Sequence, residues 1–86
     1  MIEWDEWVEM LSEHTRMGQK VQIGPETDLI EDLGMDSVEL IAVLDEIEEK
    51  WGVDFIELDD FLERIKCAEK MWMGIRELIS QKELKG

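Results

Sequence analysis

The 86-residue sequence has one cysteine, one proline, one histidine and no tyrosine. Cys67, being alone, excludes an internal disulfide and does not by itself suggest a metal site. A serine catalyst needs a base within reach, but the single histidine, His14, lies in a different predicted helix from Ser37. There is also no Gly-x-Ser-x-Gly elbow, so no catalytic residues are assigned and His14 is given no role. Basic residues are scarce, nine against twenty-three acids, and a chain of this balance repels nucleic acid and anionic membranes. No apolar run is long enough to span a bilayer. The opening stretch Met1-Ile2-Glu3-Trp4-Asp5-Glu6 is too acidic for a signal or transit peptide. These absences point to a cytoplasmic setting.

What is present is acid, concentrated in the middle of the chain. Residues 21–63 hold fifteen Asp and Glu and one base, Lys50, whereas residues 64–86 hold six bases and three acids. A 44% hydrophobic content is compatible with a folded globule, and the length sets a single small domain over residues 1–86. Calcium is the obvious alternative use of so many carboxylates. A twelve-residue EF-hand loop begun at Asp28 would put Asp32 and Glu39 at ligand positions. However, it would put Ile30 at another ligand position and Leu33 where the turn glycine belongs. No metal site is expected.

Apolar periodicity predicts helices throughout. Residues 2–17 carry Trp4, Trp7, Val8 and Leu11 on one face, read as core rather than ligand platform, with Arg16 late and Gly18 as the stop. Residues 18–35 form a connection pinned by Val21, Ile23, Leu29, Ile30 and Leu33, with a short turn starting at Thr27-Asp28. Residues 37–51 form the principal helix, with Val38, Ile41, Leu44, Ile47 and Trp51 as its stripe, widened by Leu40 and Val43, and Gly52 as its C-cap. Val53-Asp54-Phe55-Ile56 is a brief extended stretch whose alternate residues dip into the core. Asp59-Asp60 start a short third helix through Leu62 and Ile65. Residues 67–82 form the last helix, with Met71, Trp72, Ile75, Leu78 and Ile79 inward and Gly74 as a weak point. The junction at Lys66-Cys67 between the last two helices reads as continuous or bent, with Cys67 as a small core residue.

The most informative stretch is Asp32-Leu33-Gly34-Met35-Asp36-Ser37-Val38. A glycine-containing turn delivers Asp36 as N-cap, with Glu39 three residues on in the manner of a capping box. Ser37 is thereby exposed at the helix start. Unpaired N–H groups and the positive end of the helix dipole favour a negative group there, and a phosphodiester on this hydroxyl would be well placed.

This stretch resembles the attachment motif of the acyl carrier protein family, which includes peptidyl and aminoacyl carriers. The resemblance covers roughly residues 20 to 79 and, loosely, the first helix. It implies an all-α fold, a small bundle of four helices, three long and one short. It also implies a 4'-phosphopantetheine arm attached covalently to Ser37 by a magnesium-dependent phosphopantetheinyl transferase, with acyl intermediates held as thioesters. In such carriers the helix after the serine is the recognition surface for acyl-loading and acyl-processing enzymes with basic patches. Asp36, Glu39, Glu48 and Glu49 match the docking acids. Ala42 and Asp45 depart from the fatty-acid carriers, which often have an acid and an exposed apolar residue there. The departures suggest a dedicated set of enzymes.

The expected function is that of a free-standing, monomeric, non-catalytic carrier serving fatty-acid, lipid or polyketide-type synthesis. An aminoacyl or peptidyl carrier, including a D-alanyl carrier, is the alternative within the family. An unmodified acidic helical adaptor for a basic partner is the alternative from another class.

Overall fold

A computed structural model describes residues 2–15 and 22–85. It contains four α-helices, α1 (Trp4–His14), α2 (Ser37–Trp51), α3 (Phe61–Arg64) and α4 (Ala68–Lys85), and no strand among the described residues. This is the expected helical bundle of three long helices and one short. Helix α1 is shorter than the predicted 2–17. Ile2 is buried ahead of it, and Glu3 and Glu6 form a reciprocal capping box at its start. The helix ends where Thr15 turns extended so that its hydroxyl can reach inward. Arg16, Gly18 and Val21 lie outside the described residues.

Tryptophan joins the two ends of the chain. Trp7 is fully buried and its indole N–H donates to the Ala68 carbonyl at 3.0 Å. Trp72 donates to the Ile2 carbonyl at 3.2 Å and meets Trp4 edge-on, with ring centroids 5.4 Å apart. Trp7 is therefore a core residue and Trp4 packs half-buried against the core, in line with the expected apolar face. Met10 joins Trp7 and Leu11 in the core, while Val8 is only half-buried.

Helix α2 has the predicted bounds, but its buried face is rotated. Val43 and Ile47 are fully buried, with Leu40, Leu44 and Trp51 packed beside them. Val38 and Ile41, expected in the core, are 72% and 57% exposed. The rotation is fixed in part by α1, because His14 Nε2 lies 2.8 Å from Glu46 Oε1, and Glu46 also meets Lys50 at 3.2 Å. Burial would raise the Glu46 pKa, but the hydrogen bonds from His14 and Lys50 outweigh it and hold the carboxyl below its ordinary value. The stabilisation from this carboxylate is therefore present above the unfolded-state value, about 4.3. It is lost as pH falls through the lower folded value. Glu46→Gln should melt below the wild type at neutral pH, and thermal melts should show that gap closing as pH falls below the ordinary carboxylate range. A gap of constant size would mean that the contact is not ionic.

The junction before α4 corrects the sequence expectation. Helix α3 is a single turn, and the chain breaks cleanly at Lys66-Cys67. The reason is non-local. The first N–H groups of α4, those of Ala68 and Glu69, donate to the carbonyls of Thr27 and Pro25 at 2.8 and 2.9 Å, and Leu29 donates to Ile65. The loop before α2 thus supplies acceptors that a continuous helix would have provided. Cys67 is half-buried, its thiol donating to the Pro25 carbonyl. Val53 and Phe55 turn inward as predicted, although Phe55–Glu57 closes into a 3₁₀ turn.

Candidate functional site

The segment leading to Ser37 is held from several directions. Asp28 accepts the N–H groups of Ile30 and Glu31 through Oδ1, and its own N–H donates to Asp32 Oδ2. These bonds close the turn expected at Thr27-Asp28. Leu29, Leu33 and Met35 are buried and anchor the segment, whereas Ile30, expected in the core, is exposed. The Thr15 hydroxyl donates to the Leu33 carbonyl at 2.7 Å, tying the segment to the end of α1. Gly34 turns the chain with φ +64°, a conformation that costs a side-chain-bearing residue about 1 kcal/mol or more. Between two buried anchors, that turn leaves Asp36 and Ser37 outside.

Asp36 is the N-cap, its Oδ1 accepting the Glu39 N–H at 2.9 Å. The Leu40 N–H goes to the Asp36 carbonyl. The N–H groups of Ser37 and Val38 have no acceptor within the helix, as the first groups of any helix do not. Ser37 is exposed at the first helical position, so a phosphate on its Oγ would lie against the positive end of a fifteen-residue helix. That geometry fits a phosphodiester.

Beside Ser37 the structure shows a feature that the sequence leaves open, a space between the helices. A pocket of about 160 Å³ opens between α2, α3 and the start of α4, lined by Ser37, Leu40, Ile41, Val43, Leu44, Phe61, Leu62, Ile65 and Met71. Apart from the serine, every lining residue is apolar. Ile41 is exposed at its rim, as is Leu62 at 63%. A larger depression of about 810 Å³ beside Gly24, Pro25 and Thr27 is open and edged by Glu26, Asp32 and Glu69, chemistry unlike that next to Ser37.

The remaining predicted residues spread along α2. Glu39 is half-buried near the serine, while Glu48 and Glu49 are exposed in the last turns, beside Ala42, Asp45 and Glu46. His14 meets α2 at Glu46, nine residues past Ser37, about 13 Å along the helix axis. It is not placed to act as a base for the serine. Among the described residues no group of three or more His, Cys, Asp or Glu could hold a metal ion, and no helix is long and apolar enough to cross a membrane.

A family model described as a phosphopantetheine attachment site matches residues 8–71, from within α1 to the first turn of α4. No curated protein and no solved structure matches the chain significantly.

Proposed function

Because the chain belongs to the phosphopantetheine attachment site family, whose members carry covalently attached 4'-phosphopantetheine, we propose that Ser37 is its attachment residue and that the cargo is an acyl group. Carrier domains of this family are non-catalytic and work with a phosphopantetheinyl transferase and partner enzymes. In the proposed modification Ser37 Oγ forms a bond to the β-phosphorus of coenzyme A. The phosphoanhydride bond breaks, adenosine 3',5'-bisphosphate leaves, and the hydroxyl proton passes to a base of the transferase. The arm supplies a terminal thiol that holds a carboxylic acid as a thioester. The chain itself presents the serine, lends the helix N-terminus to the phosphate and catalyses no step.

One observation carries the choice of acyl over aminoacyl cargo: apart from Ser37 itself, the pocket is lined only by apolar side chains. It offers nothing to a charged amino group, whose burial without a partner is costly, whereas each buried methylene gains about 0.8 kcal/mol. The acids Asp36, Glu39, Glu48 and Glu49 support docking of enzymes with basic patches. Such steering gives fast, weak and salt-sensitive encounters, as a shuttle between enzymes of fatty-acid, lipid or polyketide-type synthesis requires. On this reading residues 1–86 act as one monomeric cytoplasmic carrier. The test loads the arm from coenzyme A thioesters with a broad-specificity transferase and Mg²⁺, then compares melting of hexanoyl, glycyl and uncharged forms. The expected result is stabilisation by hexanoyl alone. Equal or greater stabilisation by glycyl would favour the aminoacyl carrier.

A further inference from the structure

Helix α3, which forms one wall of the pocket, is a single turn and too short to hold itself. Arg64 clasps it to α4. Arg64 Nε donates to Asp60 Oδ1 at 2.8 Å, Nη1 to the Lys70 carbonyl at 2.9 Å, and Nη2 lies 3.5 Å from Glu77 Oε2. The side chain is about four-fifths buried, which the guanidinium tolerates because its donors meet a carboxylate and a carbonyl. The same guanidinium holds the Asp60 carboxyl below its usual range.

Gly74 makes the clasp possible. A Cβ there would stand 3.1 Å from Arg64 Nη1 and 2.7 Å from Leu58 Cδ1. The sequence reading saw this glycine only as a weak point in α4. It is a notch through which the guanidinium reaches the helix backbone.

The geometry places the clasp against the pocket. Phe61 and Leu62, in the same turn as Arg64, form the wall, and Met71, fully buried and adjacent to Lys70, lines the α4 side. A swing of α3 away from α4 would widen the pocket and would break the Arg64 contacts. Its volume of about 160 Å³ is close to the roughly 150 Å³ cavity that accepts a benzene-sized guest elsewhere. We propose that Arg64 is a positioning residue that keeps this pocket small, so that the protein shelters short acyl chains and leaves the rest of longer ones in solvent. This inference rests on the acyl-carrier reading and adds to it a limit on cargo length and the residue that sets it.

The experiment is a melting series of the full chain loaded on Ser37 with butanoyl, hexanoyl, octanoyl, decanoyl and dodecanoyl arms, for wild type, Arg64→Met and Arg64→Lys. In the wild type the melting temperature should rise through hexanoyl and level off by octanoyl. Arg64→Met keeps an apolar stem and loses the clasp, so its plateau should move to a longer chain. Arg64→Lys keeps the charge without the fork and should move it in the same direction, which also decides the matter if the methionine variant does not fold. A purely structural role for Arg64 would lower every melting temperature alike and leave the plateau where it is. Plateaus at one chain length in all three proteins, or a wild-type rise continuing to dodecanoyl, would overturn the inference and leave the carrier reading standing. Failure of wild-type Ser37 to accept any arm would overturn both.

Discussion

Ser37→Ala should gain no mass when incubated with coenzyme A, Mg²⁺ and a phosphopantetheinyl transferase, while the wild type gains one arm. The loss should be total, because a missing Oγ leaves nothing to bond to phosphorus. Other hydroxyls do not stand in for it. Ser12 donates to the Val8 carbonyl within α1, and Thr15 and Thr27 are buried. Ser80 is exposed, but it sits inside α4 and lacks the unpaired N–H groups of a helix start. Ser80→Ala is thus the matched control and should be modified like the wild type. The loss should also be free of any folding defect. The cap of α2 is Asp36, and an exposed serine at the first helical position contributes within about 0.5 kcal/mol. A variant that folds, takes no arm and yet keeps full biological activity would favour the unmodified adaptor, which needs the acidic face of α2 and not the hydroxyl.

Trp7→Ala should be the most destabilising single substitution in α1. Truncating a fully buried tryptophan costs about 3–5 kcal/mol, and loss of the bond to the Ala68 carbonyl adds about 1 kcal/mol. Small domains have about 5–15 kcal/mol in total, so the variant should be close to unfolded at ordinary temperature by urea titration. Trp7→Phe retains most of the apolar volume and should recover most of the loss. A Trp7→Ala protein within about 1 kcal/mol of wild type would mean that α1 does not dock through this side chain.

How far the sequence can be read differs between neighbouring residues for physical reasons. The bounds of α2 were legible because Asp36 and Gly52 act locally, one by accepting an N–H three residues on and the other by adopting a left-handed conformation. The rotation of that helix was not legible. Seven large apolar residues from Val38 to Trp51 cover so wide an arc that periodicity alone leaves its buried centre undetermined. Contacts from distant segments decide it, His14 among them. Ser37 and its presenting turn were readable from a short motif. The pocket was not, since Phe61 and Met71 meet α2 only through tertiary packing. The broken Lys66-Cys67 junction depends likewise on the carbonyls of Pro25 and Thr27, some forty residues earlier in the chain.

The tryptophan bonds that join the ends of the chain bear on how it is made. Trp7 meets its acceptor 61 residues later, and Ile2 meets Trp72 70 residues later. During synthesis at about 5–20 residues per second, α1 leaves the ribosome several seconds before the helix that covers it. The Ser37 turn and α2 also emerge while α4 is still unmade. A transferase that reached the nascent chain in that interval would meet Ser37 without the completed bundle behind it, because the contacts that α4 makes with the start of the chain form only after α4 has been translated.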